Sequence, residues 1–162
     1  MAFDAYLMLD GLEGEAETAG YEGQIEIYSF SFGGSNPASI TTSGMATGKA
    51  TVSSFNVMKT TDTTSPEIFQ QCMQGVHWPT ATVTLLKSGG EAALPFLVYE
   101  FKELYCSTIN WSGGAGGDDR PMESISFDFS AVKVTYTQQD ESGAAAKQPT
   151  GAWDLRTQTK NF

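Results

Sequence analysis

Apolar residues recur with the two-residue period of strands along most of the chain. Phe3 to Leu9 and Gln24 to Phe32 are rich in β-branched or aromatic residues and flank an acidic, glycine-containing turn region from Asp10 to Gly23, so both are predicted strands. In the second, Ile25 and Ile27 share one parity while Tyr28, Phe30 and Phe32 share the other. Such a switch within one strand predicts a β-bulge or sharp corner near Ile27 and Tyr28. With the aromatic set turned inward, Ser29 and Ser31 fall together on the opposite, small and polar face. Lys49 to Lys59, with Val52, Phe55 and Val57, and Ala81 to Lys87, with Val83 and Leu85 against Thr82 and Thr84, are two further half-buried strands. Leu94 to Leu104 is apolar at both parities, which predicts a strand covered twice, the second time preferably by a neighbouring subunit. Met122 to Tyr136 repeats the parity switch at Ser130-Ala131, and a strand pattern resumes at Ala152 to Arg156 after the polar connection Gln138 to Gly151.

One segment has helical spacing. Thr64-Ser65-Pro66-Glu67 offers a cap, a proline for the first turn and a carboxylate that the helix dipole favours. Ile68, Phe69, Cys72 and Met73 follow on one apolar face that needs cover, and Gly75 stops the helix. The whole pattern predicts a mainly β fold over residues 1 to 162, one domain: an antiparallel β-barrel of two packed, bulged sheets with one flanking α-helix and an extended loop. That loop is Gly34 to Gly48, fifteen uncharged residues with Ile40 and Met45 as its sizeable apolar groups, and its low charge favours a contact role.

Composition narrows the functions. A net charge of −10 over 162 residues opposes binding to phosphate backbones and anionic membrane surfaces, so neither nucleic acid nor membrane insertion is expected. Residues 1 to 48 carry Asp4, Asp10, Glu13, Glu15, Glu17, Glu22 and Glu26 with no Lys or Arg, whereas Lys147, Arg156 and Lys160 lie near the other end. An acidic end and a weakly basic one permit head-to-tail attraction between stacked copies, although a solvated face explains such clustering equally. Cys72 and Cys106 are too few for a disulfide framework and read as buried thiols. The N-terminus has neither a basic start nor an unbroken apolar run, so no signal peptide is indicated.

Catalytic chemistry finds little support. His77 is the single histidine, set in the turn-like Gly75-Val76-His77-Trp78-Pro79, and no Ser or Cys motif marks a nucleophile. Ser112 to Arg120 is a glycine loop without the Gly-Lys-Ser/Thr ending of a phosphate cradle, and its Asp118 and Asp119 would repel phosphate. Asp118, Asp119 and Glu123 match no calcium loop. No catalytic residue, metal or cofactor is expected. Arg120 is placed either on neighbouring charge or backbone or across a subunit boundary.

Several motifs together resemble one family, the Hcp (haemolysin-coregulated protein) tube proteins of the bacterial type VI secretion system. They are Met1-Ala2-Phe3-Asp4, Gly14-Glu15, the Ile25 to Gly33 strand ending Phe30-Ser31-Phe32-Gly33, Gly48-Lys49, the Gly75 to Pro79 turn, Lys87 to Glu91, the Ser112 to Arg120 loop and Glu123 before an apolar strand. The resemblance implies a small barrel that assembles as a homo-hexameric ring, rings that stack into a hollow tube, and partners in spike and sheath proteins. It also implies small effector proteins sheltered in the lumen, folding in the cytoplasm and secretion without a cleaved signal. By position in the motif, Ser31 resembles a lumen-facing residue, with Ser29 beside it. Ile40 and Met45 fall in a segment similar to the family's extended loop, which reaches an adjacent subunit or ring. The alternatives are a bacteriophage tail-tube protein, a monomeric carbohydrate-binding module using Trp78, Trp111 and Trp153, and, least favoured, a hydrolase built on His77.

Overall fold

The computed structural model describes residues 2–87, 93–117 and 119–162; Met1, residues 88–92, which include all but Lys87 of the Lys87 to Glu91 motif, and Asp118 lie outside the described residues. In chain order the elements are β1 (Phe3–Leu9), β2 (Ile25–Ile27), β3 (Ser29–Ser31), β4 (Gly34–Ser35), β5 (Ala38–Thr41), β6 (Gly44–Thr47), β7 (Thr51–Val52) and β8 (Phe55–Thr60). Then follow α1 (Ser65–Gln74), β9 (His77–Lys87), β10 (Pro95–Ser112), β11 (Met122–Asp128), β12 (Ala131–Tyr136), β13 (Gln138–Gln139), β14 (Ala145–Lys147) and β15 (Thr150–Asp154).

Nine of these strands form one antiparallel sheet in the order β2-β1-β9-β10-β11-β8-β3, with β12 on β10 and β15 on β12. The two ends of that order, β2 and β3, are consecutive pieces of one chain. The predicted corner lies between them, at Tyr28, whose N–H donates to Met58 O at 2.7 Å as the chain passes from β1 to β8. The sheet therefore curls round its core without a continuous ladder closing it, and the expected barrel is closed by the chain at Tyr28 rather than by strand pairing. The second predicted switch falls at Ser130, where the Met122 to Tyr136 segment divides into β11 and β12 along the same edge of β10.

Strand β10 is longer than expected and serves as the spine. Its Glu103 takes φ 49° across from Pro79, which has no N–H to give the ladder, and the register shifts again between Cys106 and Thr108. Leu97, Tyr99 and Phe101 face the core with Leu7, Ile25, Phe55, Val83, Ile125 and Phe127, each full burial of such a side chain contributing about 1.5–3 kcal/mol. Of the residues assigned to the second face, Phe96 packs against the core cluster and Val98 is half-buried. Phe96 packs edge-on against Phe3 at 6.5 Å, and Lys87 lies 5.9 Å over its ring.

Helix α1 lies against β10. Its apolar stripe splits: Ile68 is fully buried and Cys72 packs on the core, whereas Phe69 (43%) and Met73 (65%) stay exposed. Four residues at 68, 69, 72 and 73 span too wide an arc for one neighbouring strand to cover. Thr64 occupies the N-cap with an αR backbone and makes no side-chain cap bond. Asp62 instead fixes the N-cap residue itself, accepting from the Thr64 N–H at 2.9 Å.

Candidate functional site

Directly opposed residues of antiparallel strands share a face, so register alone assembles a surface around the two serines. Ser29 lies opposite Met58, Met58 opposite Ser124, and Ser124 opposite Asn110. Ser31, Asn56, Ser126 and Thr108 make the neighbouring row. Asn56 joins three strands, its Nδ2 donating to Ser31 Oγ at 3.2 Å while Ser126 Oγ donates to its Oδ1 at 2.6 Å. All eight side chains are uncharged, and the apolar one, Met58, is 42% exposed. A chain of net charge −10 thus presents a four-strand face of hydroxyls and amides that can donate and accept hydrogen bonds without preferring either sign of charge. Asp128 stands at its rim and accepts from Ser54 Oγ at 2.6 Å.

The expected long loop is a built arm. At its base β4 pairs with β7, and Ser53 N–H donates to Gly33 O at 2.8 Å while Gly33 N–H donates to Ser53 Oγ at 3.0 Å. A narrow waist follows, where a Cβ on Gly48 would stand 2.9 Å from Pro37 O. Beyond it β5 and β6 form a hairpin that sets Ile40 opposite Met45, 84% and 72% exposed. Ala38–Thr41, with Ile40 and Thr41 β-branched, forms strand once a tight turn at Thr42-Ser43 lets it pair with Gly44–Thr47. A two-stranded hairpin is marginal alone in water, and this one shows an apolar pair on one face.

Arg120 lies within its own chain, Nη1 3.3 Å from Glu15 Oε2 and 3.3 Å from Thr61 O. It ties the acidic turn after β1 to the start of β11, with about half of its side chain left exposed.

A buried ionic knot braces the elements that carry the neutral face. Lys59 Nζ lies 2.7 Å from Glu123 Oε2, 2.8 Å from Asp62 Oδ1 and 2.9 Å from Ser65 Oγ. Burial pushes the Asp62 carboxyl up, but the hydrogen bonds from Lys59 and Thr64 outweigh it and hold the group below its ordinary range.

The other candidate centres separate. His77 is exposed and stacks on Tyr105 at 5.1 Å. Trp78 is buried at 2%, Trp111 leans on Phe69 at 5.6 Å and Trp153 is half-buried, so they make no shared platform for a sugar. Among the described residues no three metal-ligating side chains gather. No helix is long and apolar enough to cross a membrane. Of the predicted contact residues, Ser29 and Ser31 share one face and Ile40 and Met45 one hairpin. Asn56, Ser124, Ser126, Thr108 and Asn110 were not singled out by sequence. Ser124 and Ser126 alternate with Ile125 and Phe127, a legible signal, whereas the pairing of β8 with β3 and β11 is not.

Residues 6–136 match the family model described as type VI secretion system effector, Hcp. Protein hcp1 of Pseudomonas aeruginosa is 33% identical over 109 residues, 67% of this chain and 67% of that protein. A solved structure described as a type six secretion system protein superposes with a TM-score of 0.92 at 32% identity, covering 99% of this chain and all of the other. The crystal structure of Hcp1 from Salmonella typhimurium gives 0.81 at 25% identity, again over 99% of this chain.

Proposed function

We propose, from the premise that this chain belongs to the Hcp family of the type VI secretion system, that it is a structural subunit of that system's inner tube. Six copies close into a ring through heterologous contacts, and a second head-to-tail contact stacks rings into a hollow tube. The tube is ejected with its spike by a contracting sheath and carries small effector proteins in the lumen. Subunits fold in the cytoplasm before the system exports them. The work is mechanical, and no bond is made or broken.

The observation that carries this reading is the hairpin, whose Ile40 and Met45 project together with most of their surface unburied. On an adjacent subunit or ring that pair gains the cover its own chain withholds. The neutral face with Ser29 and Ser31 suits the lumen, because a wall of hydroxyls and amides holds folded cargo by many weak bonds and still releases it. Arg120, held on Glu15, keeps about half of its side chain exposed for a subunit or ring contact.

Light scattering after size exclusion, with negative-stain images, tests both parts. A ring-sized particle of six subunits is expected, and Ser31→Gln leaves the ring intact while reducing retention of a co-expressed effector. A stable monomer at high concentration overturns the assembly. Loss of the ring in Ser31→Gln removes that residue from the lumen.

A further inference from the structure

We propose that Cys72 and Cys106 are a disulfide-forming pair, which closes when the folded protein meets a small-molecule disulfide and fastens the last turn of α1 to β10.

Both thiols are free, one half-buried on α1 and one buried on β10. They meet where helix and sheet pack: Cys72 lies against the core cluster that contains Cys106, and the two side chains are near neighbours. Two thiols in contact on separate elements have the proximity that a bond requires. The backbone around Cys106 also has room to adjust. The β10–β11 register shifts between Cys106 and Thr108, so a small movement there does not break a regular ladder.

The two cysteines have unequal roles. Burial pushes the Cys106 thiol up to about 12, with further upward contributions from its contact with Cys72. Cys106 therefore stays protonated near neutral pH and is shielded from solvent oxidants, which makes the half-buried Cys72 the entry point. Cys72 thiolate attacks one sulfur of a disulfide RSSR, forming Cys72–S–SR and expelling RS⁻. Cys106 then attacks the Cys72 sulfur, its proton passing to the departing RS⁻. The pair loses two protons and two electrons, which RSSR takes up to leave as two RSH. The closed bond joins residues distant in sequence, so it constrains the unfolded chain and stabilises the fold.

The pair is independent of how copies assemble, and its test is made on the folded full-length chain. Protein treated with oxidised glutathione is quenched with acid, alkylated and analysed by intact mass and peptide mapping. We expect the wild type to lose two hydrogens, keep no glutathione and yield a peptide linking Cys72 to Cys106. Its melting temperature rises by several degrees, reversed by dithiothreitol. Cys106→Ser retains one glutathione on Cys72, and Cys72→Ser acquires at least about tenfold less on Cys106. Cys106→Ala serves the same purpose if the buried serine unfolds the chain, with circular dichroism reporting the fold of each variant. Wild type that holds glutathione on Cys72 without a crosslink, bonds only between chains, or fails to react overturns the proposal.

Discussion

Lys59 buries its ammonium completely, which costs several kcal/mol unless every proton finds an acceptor. Glu123, Asp62, Ser65 Oγ and Thr60 O supply those acceptors, so one side chain from β8 holds β11, the loop before α1 and the helix start in register. Lys59→Met leaves the fully buried Glu123 carboxylate without its counter-charge, and a loss of about 3–5 kcal/mol is expected. Adding Glu123→Leu to that variant removes the orphaned charge and recovers a large part of the loss. Urea melts of the single and double variants measure it; a double variant no more stable than Lys59→Met would show that the pair contributes through Asp62 alone. The sequence showed Glu123 as part of a recognisable motif and Lys59 as the end of a strand. It could not show them together, because their partnership depends on the β8–β11 register, which places Lys59 opposite Glu123.

At the scale of elements, the arm from β4 to β7 differs from the rest of the fold in where its apolar groups go. The nine-stranded sheet buries most of its large apolar side chains, although Met8, Met58, Trp111 and Tyr136 stay exposed, whereas the hairpin buries neither Ile40 nor Met45. Their replacement therefore costs the folded chain little, since exposed positions away from caps and networks usually change stability by no more than about 0.5 kcal/mol. Ile40→Ser with Met45→Ser is expected to leave the circular dichroism spectrum unchanged while shifting sedimentation toward smaller species. Unchanged sedimentation would take the hairpin out of the interface. The segment reads as a loop by composition because Gly, Ser, Thr and Asn dominate it. It becomes strand through a tight turn and the Pro37–Gly48 waist, and neither leaves a hydrophobic period in the sequence. Helix α1 carries the converse lesson. Its existence and limits are legible, but which half of its stripe is covered depends on where β10 crosses it.

Across the whole molecule, charge and shape act in opposite senses on assembly. Each copy brings a net charge of −10, so the rings proposed above would repel one another, and the apolar hairpin would have to prevail at short range. At 0.1 M salt, repulsion between exposed charges is largely screened beyond about 10 Å. Raising salt is therefore expected to lengthen stacks in sedimentation velocity, because repulsion is screened while apolar burial is not. Stacks that shorten with salt would show instead that the acidic N-terminal half and the basic C-terminal residues attract head to tail.

The sequence by itself determined the strand-rich class, the single helix and its stop at Gly75, the two corners where alternation switches parity, and the shared face of Ser29 and Ser31. These follow from local periodicity and backbone preference, which act over a few residues and are written in order along the chain. Only the tertiary structure decided that Tyr28 closes the sheet, that Lys59 meets Glu123, that Asn56 bridges Ser31 to Ser126, and that Cys72 faces Cys106. Each of these joins residues far apart in sequence, and the physical reason is register: a strand can slide along its neighbour with its own alternation unchanged, and the packed core selects the one alignment that fills it.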